Sequence, residues 1–121
     1  MDLYEAMSTL RAVRRLRPDP IDEAVIERVL TAATWAPTGG NTQPWRIIAV
    51  TDAKLKQALQ DLYKPHWDAY VPGYEARLGQ MPEDVKSSSI KALDAGNYLA
   101  AHMHEAPLIA IFCFNPNLMA I

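Results

Sequence analysis

Eleven residues, Trp35-Ala36-Pro37-Thr38-Gly39-Gly40-Asn41-Thr42-Gln43-Pro44-Trp45, constrain this chain more than any other stretch. They separate a helical apolar pattern from a continuous apolar run, so they join a helix to a strand. A plain connection needs neither this length nor this composition. The two glycines allow backbone shapes and close approach that a side chain forbids, and the two prolines stiffen the ends. Thr38, Asn41, Thr42 and Gln43 gather donors and acceptors in one place, bracketed by two tryptophans. Each residue is also an ordinary turn former. Taken together, they make a rigid loop with exposed amides, suited to holding a flat ring with polar edges.

At 121 residues the chain is read as one domain spanning residues 1–121, long enough to bury roughly two-thirds of its unfolded surface. Twelve basic residues against fourteen acidic ones give a net charge of −2, which argues against nucleic-acid and anionic-membrane binders. Four arginines fall between Arg11 and Arg17, but no wider basic surface supports them. The single cysteine, Cys113, permits no intrachain disulfide, which suits a reducing compartment. The N-terminus shows no secretory pattern. The longest apolar run, the seven residues Leu108 to Phe114, is far below the ~20 needed to span a bilayer. A cytoplasmic location is expected.

Leu3, Met7, Leu10 and Val13 predict one face of an N-terminal helix ended by Pro18 and Pro20. Asp22 is placed to cap a second helix, with Ile26, Val29, Leu30 and Ala33 on its inner face. Ile47 to Val50 predicts a strand covered on both faces. Asp52 caps a third helix with Leu55, Ala58, Leu59 and Leu62 inward. From Tyr63 to Pro82, five prolines and glycines predict a loop-rich excursion with one short helix, either a lid over a ligand or a surface loop. A helical period returns from Glu83 to His104, and Leu108 to Phe114 predicts a second strand. Asn115-Pro116-Asn117 reads as a turn before an apolar tail, Leu118 to Ile121.

The loop is similar to the Pro-Ser/Thr-x-x-Asn-x-Gln-Pro-Trp segment of the FMN-dependent nitroreductase family. Arg11-Ala12-Val13-Arg14-Arg15-Leu16 resembles that family's Arg-Arg-Ser-x-Arg-x-Phe element, at matching spacing and with a matching Pro18-Asp19-Pro20-Ile21 link. The resemblance runs well from Tyr4 to Asp52 and loosely to Phe114. It implies a mixed α+β fold with helices on both faces of a central sheet, incomplete at its C-terminal side because the chain resembles only the front part of the family domain. It also implies an FMN-dependent NAD(P)H oxidoreductase that passes hydride by a ping-pong mechanism through flavin N5. The acceptors are nitroaromatics, quinones or activated alkenes, and the site lies at a homodimer interface. A different reading is a truncated member that folds or dimerises without flavin and without activity.

By the same resemblance Arg11, Ala12 and Arg14 grip the FMN phosphate and ribityl chain, whereas Pro37, Thr38, Gly39, Asn41 and Gln43 meet the ring or its ribityl chain. From spacing alone, Arg11 and Arg14 share one side of a helix, where they form a phosphate clamp or a solvated basic face. Arg15 is expected to point elsewhere, and Arg17 to lie at the surface. Leu10, Ala12 and Leu16 replace the family's usual arginine, serine and phenylalanine. No catalytic side chain is implied, since the cofactor does the chemistry. His102 and His104 are two apart on a helix, so they point to opposite sides and no metal is expected there. No Walker or Gly-x-Gly-x-x-Gly motif is present.

Overall fold

The computed structural model describes residues 2–118. The regular structure among the described residues consists of helices α1 (Leu3–Thr9), α2 (Glu23–Thr34), α3 (Ala53–Leu78) and α4 (Glu83–His102) with strands β1 (Trp45–Val50) and β2 (Ile109–Phe114). This is the mixed α+β class that the sequence implies. Of the apolar tail, Met119, Ala120 and Ile121 lie outside the described residues. The chain packs as two compact units, one of Met1–Leu16 with Gln60–Met103, the other of Arg17–Leu59 with His104–Ile121.

In the second unit β1 and β2 pair antiparallel, in register from Trp45 opposite Phe114 to Val50 opposite Ile109. The Asn115 amide extends the ladder by donating to the Pro44 carbonyl at 2.7 Å. Side chains alternate across a strand, so Trp45 and Ile47 share a face with Phe112 and Phe114. The apolar run predicts two covered faces, but coverage among the described residues is partial. Val50 is buried, while Ile48 is 52% exposed and Phe112 63%. The Asp22 carboxylate caps α2 by accepting from the Ala24 amide at 2.9 Å. Ile26, Leu30 and Ala33 are half-buried, as their spacing predicts. Val29, expected among them, is 61% exposed.

Asp52 caps α3 as expected, accepting from the Leu55 amide at 2.9 Å. The inward face of its first turns is offset from the apolar stripe: Leu55 and Leu62 are 58% and 70% exposed, while Lys56 and Gln60 are buried. A specific contact accompanies this offset. Lys56 Nζ reaches the Ala106 carbonyl at 2.6 Å, giving the buried ammonium an acceptor.

In the first unit α1 ends at Thr9, short of the Val13 expected on its face and of the Pro18 and Pro20 expected to end it. Ser8 Oγ and Thr9 Oγ1 both donate to the Glu5 carbonyl, at 3.1 and 2.7 Å, a local bonding pattern that competes with helix continuation. Leu10 turns out of the helix with ψ 131°. Arg11 Nη1 then donates to the carbonyls of Ser8 (3.1 Å) and Leu10 (2.7 Å), satisfying acceptors left bare at a helix end. Arg11 and Arg14 therefore stand on irregular backbone, and the shared helix face predicted for them does not exist.

The excursion predicted from Tyr63 to Pro82 is instead mostly helix. α3 runs to Leu78 through Pro65 and Pro72. Each proline removes one backbone hydrogen bond, but the two stand seven residues apart, so both losses fall on one side of the helix. Another side carries Tyr63, Trp67, Tyr70 and Tyr74, with successive ring centroids 6.3, 5.6 and 5.8 Å apart. Their four–three–four spacing is a helical signal hidden by the prolines. α4 meets this ladder where Gly96 is buried against the Trp67 ring, and the Trp67 indole N–H donates to Asn97 Oδ1 at 2.8 Å.

Candidate functional site

The loop between α2 and β1 is held by its own polar side chains. Thr38 Oγ1 accepts from the Gln43 backbone N–H at 3.1 Å and from Gln43 Nε2 at 3.3 Å. Gln43 Nε2 also donates to Asn41 Oδ1 at 2.8 Å, and Gln43 Oε1 accepts from the Trp45 indole N–H at 2.7 Å. The Gly39 carbonyl accepts from the backbone N–H and the hydroxyl of Thr42. Thr38, Asn41 and Gln43, read from sequence as ligand contacts, thus form one network with Gln43 at its centre. The indole donor is a contact that sequence reasoning missed, although the spacing of Gln43 and Trp45 is visible in the chain.

The backbone of this loop is strained. Gly40 has φ 59°, and Asn41 and Gln43, at φ 54° and 47°, are the left-handed non-glycine residues among those described. Glycine adopts this region freely and asparagine tolerates it, but a residue such as Gln43 loses roughly 1–2 kcal/mol there. Such outliers persist only where surrounding contacts over-determine them, and they cluster at ligand sites. Gly39 is not left-handed, and a Cβ built on it meets nothing within 4 Å. Its backbone therefore faces open space that a flat ring can approach. Pro37 precedes the network and is exposed.

The arginine element belongs to the other unit. Arg14 is half-buried, donates through Nη1 to the Ala12 carbonyl at 3.2 Å, and lines a cleft of about 350 Å³ beside the aromatic ladder. Ala12 itself is exposed. Of the four arginines from Arg11 to Arg17, Arg15 pairs with Asp94 at 3.0 Å and Arg17 with Asp19 at 3.4 Å. Arg11 and Arg14 have no carboxylate partner among the described residues, and their side-chain hydrogen bonds run through Nη1 to carbonyls. A guanidinium has five N–H donors, so each keeps donors and an uncompensated charge for an anion. The two that remain are the two singled out by resemblance. His102, the last residue of α4, stacks on Tyr98 at 4.2 Å.

The left-handed polar loop belongs to one unit and the two arginines without a carboxylate partner to the other. The sequence profile of the Nitroreductase family matches residues 8–120, and the chain belongs to that family. It is 34% identical over 106 residues to a 5,6-dimethylbenzimidazole synthase of Rhodobacter capsulatus, covering 87% of this chain and 50% of the relative. Its fold matches an oxidised iodotyrosine deiodinase solved with FMN and 3-iodo-L-tyrosine, with a TM-score of 0.66, 25% identity, and coverage of 92% of this chain and 55% of that one. It also matches a point mutant of an FMN- and NADPH-dependent nitroreductase from sphigopyxis sp. strain HMH, with a TM-score of 0.59, 25% identity, and 97% and 60% coverage. The chain spans half the length of the synthase and 55–60% of the two solved chains. No helix among the described residues is long and apolar enough to cross a membrane.

Proposed function

We propose that this chain is the front part of an FMN-dependent oxidoreductase that takes hydride from NAD(P)H. The observation that carries this reading is the Thr38–Gln43 loop, where two non-glycine residues are held left-handed by a closed set of side-chain hydrogen bonds. A connecting loop has no need of that strain. The residues fit the cofactor: Gly39 leaves bare backbone open to a ring, and the Thr38 hydroxyl hydrogen, the Asn41 amide NH2 and the second lone pair of Gln43 Oε1 remain for its polar edge once the loop's own bonds are made. In the other unit, Arg11 and Arg14 offer charge-assisted donors to a phosphate, with the Ala12 backbone between them.

When bound, FMN supplies the hydride chemistry, with a nitroaromatic, quinone or activated alkene as the acceptor. The chain's own part is binding and orientation. The loop network presets Asn41 and Gln43 before the ligand arrives, which cuts the ordering cost of binding. Exposed Phe112, Phe114, Val29 and Trp35 support a homodimer, and the lone Cys113 suits the cytoplasm. The competing reading is a family member that folds without flavin; it draws support from the share of its relatives' length that this chain spans.

The test is a titration with FMN and with riboflavin, which lacks the phosphate. Arg11→Ala with Arg14→Ala removes contacts worth ~1.5–3 kcal/mol each. FMN affinity should fall at least a hundredfold, as ~3 kcal/mol implies, with riboflavin affinity little changed. Equal losses for both ligands would refute the phosphate role.

A further inference from the structure

We propose that Arg15 is a positioning residue for the phosphate-binding segment, seated on α4 by Asp94 and Tyr98; this rests on the flavin reading above. The segment from Leu10 to Leu16 has no helix of its own. The hydrogen bonds of the Arg11 and Arg14 side chains go to carbonyls no more than three residues away, so although Arg14 lies beside the aromatic ladder, none of these bonds ties the segment to α3 or α4. Arg15 differs. Its Nη2 donates to Asp94 Oδ2 at 3.0 Å, across 79 positions of sequence. Its guanidinium carbon lies 4.2 Å from the Tyr98 ring centroid.

Asp94 and Tyr98 are four residues apart on α4, so they share a helix face and receive the charge and the plane of one guanidinium together. Tyr98 is itself backed by the His102 ring, with centroids 4.2 Å apart and planes 19° apart. A planar, permanently charged group suits this seat, since arginine both stacks and pairs where lysine only pairs well. Arg15 adjoins Arg14, so seating one holds the backbone of the other in place. Without the seat, an anion must order the segment as it binds and affinity falls. The sequence places Arg15 away from the ligand, and the structure gives that residue its task.

The test uses Arg15→Gln, Tyr98→Leu and Arg15→Lys, with far-ultraviolet circular dichroism to show each variant folded. FMN and riboflavin affinities are measured by fluorescence titration, and amide hydrogen exchange is followed at residues 11–16 without flavin. An exposed ion pair and an exposed cation–π contact are each modest, so losing the seat should cost about tenfold in FMN affinity. Arg15→Gln and Tyr98→Leu should show that loss with riboflavin affinity unchanged and with faster exchange at residues 11–16. Arg15→Lys should recover part of it. Equal losses for both flavins, or FMN affinity unchanged in both variants, overturns the positioning role. Wild-type protein that binds FMN no better than riboflavin overturns the phosphate reading and this role with it. Faster exchange in the variants would then identify the seat as purely structural.

Discussion

Gly96→Ala is expected to destabilise the chain, although alanine is the better helix former. An ideal Cβ at position 96 would lie 2.5 Å from both Cη2 and Cζ2 of Trp67, against a normal carbon–carbon separation of roughly 3.5–4.0 Å. The ring must move by about 1 Å, and it is not free to do so. Its indole N–H is bonded to Asn97 at 2.8 Å, and Tyr63 and Tyr70 flank it. Overpacking costs ~1–3 kcal/mol, and the strained hydrogen bond costs about 1 kcal/mol. Helix propensity returns about 1 kcal/mol. The balance is a loss of about 2 kcal/mol, or a Tm lower by roughly 8 °C for a chain of this size. Thermal melts by circular dichroism read this directly. On a Trp67→Leu background the obstacle is gone and the same substitution should become neutral or stabilising. A single Gly96→Ala variant with a raised Tm would refute the close-packing argument.

The other expectations concern backbone and caps. Gly40→Ala, at φ 59°, should cost about 1–2 kcal/mol in urea unfolding, whereas Gly39→Ala should stay within ~0.5 kcal/mol and lower FMN retention alone. Asp22→Ala and Asp52→Ala remove side-chain caps of α2 and α3 and should each lower stability by about 1 kcal/mol in the same assay. Pro65→Ala restores a backbone donor inside α3 and should raise the Tm. A lower Tm would mean that the proline is packed where alanine leaves a void.

Elements whose signals are local were readable in the chain. The caps Asp22 and Asp52, the inward Ile26, Leu30 and Ala33, and both strands follow from side-chain oxygens, period and apolar runs. The failures share a cause: a local rule lost to a contact distant in sequence or to a hydrogen bond that periodicity does not encode. Pro65 and Pro72 signal a break, yet the aromatic ladder and the packing of Trp67 on Gly96 keep the helix whole. Leu55 and Leu62 form an apolar stripe, yet they stay exposed while Lys56 is buried on a carbonyl fifty residues away. Leu10 and Val13 continue a helical period, yet Ser8 and Thr9 bond back to Glu5 and stop it. In the candidate site, the residue types of the loop were legible. Their mutual bonding and left-handed backbone were not, because both depend on which amide turns toward which partner.

The account rests on one claim, that this chain holds FMN. Purified wild-type protein, incubated with excess FMN, washed by ultrafiltration and scanned for visible absorbance, tests it most directly. The account predicts a yellow retained fraction with the two absorbance bands of oxidised flavin, at a stoichiometry approaching one per chain. A colourless retained fraction from protein that circular dichroism shows to be folded would contradict it and favour a family member that folds without its cofactor.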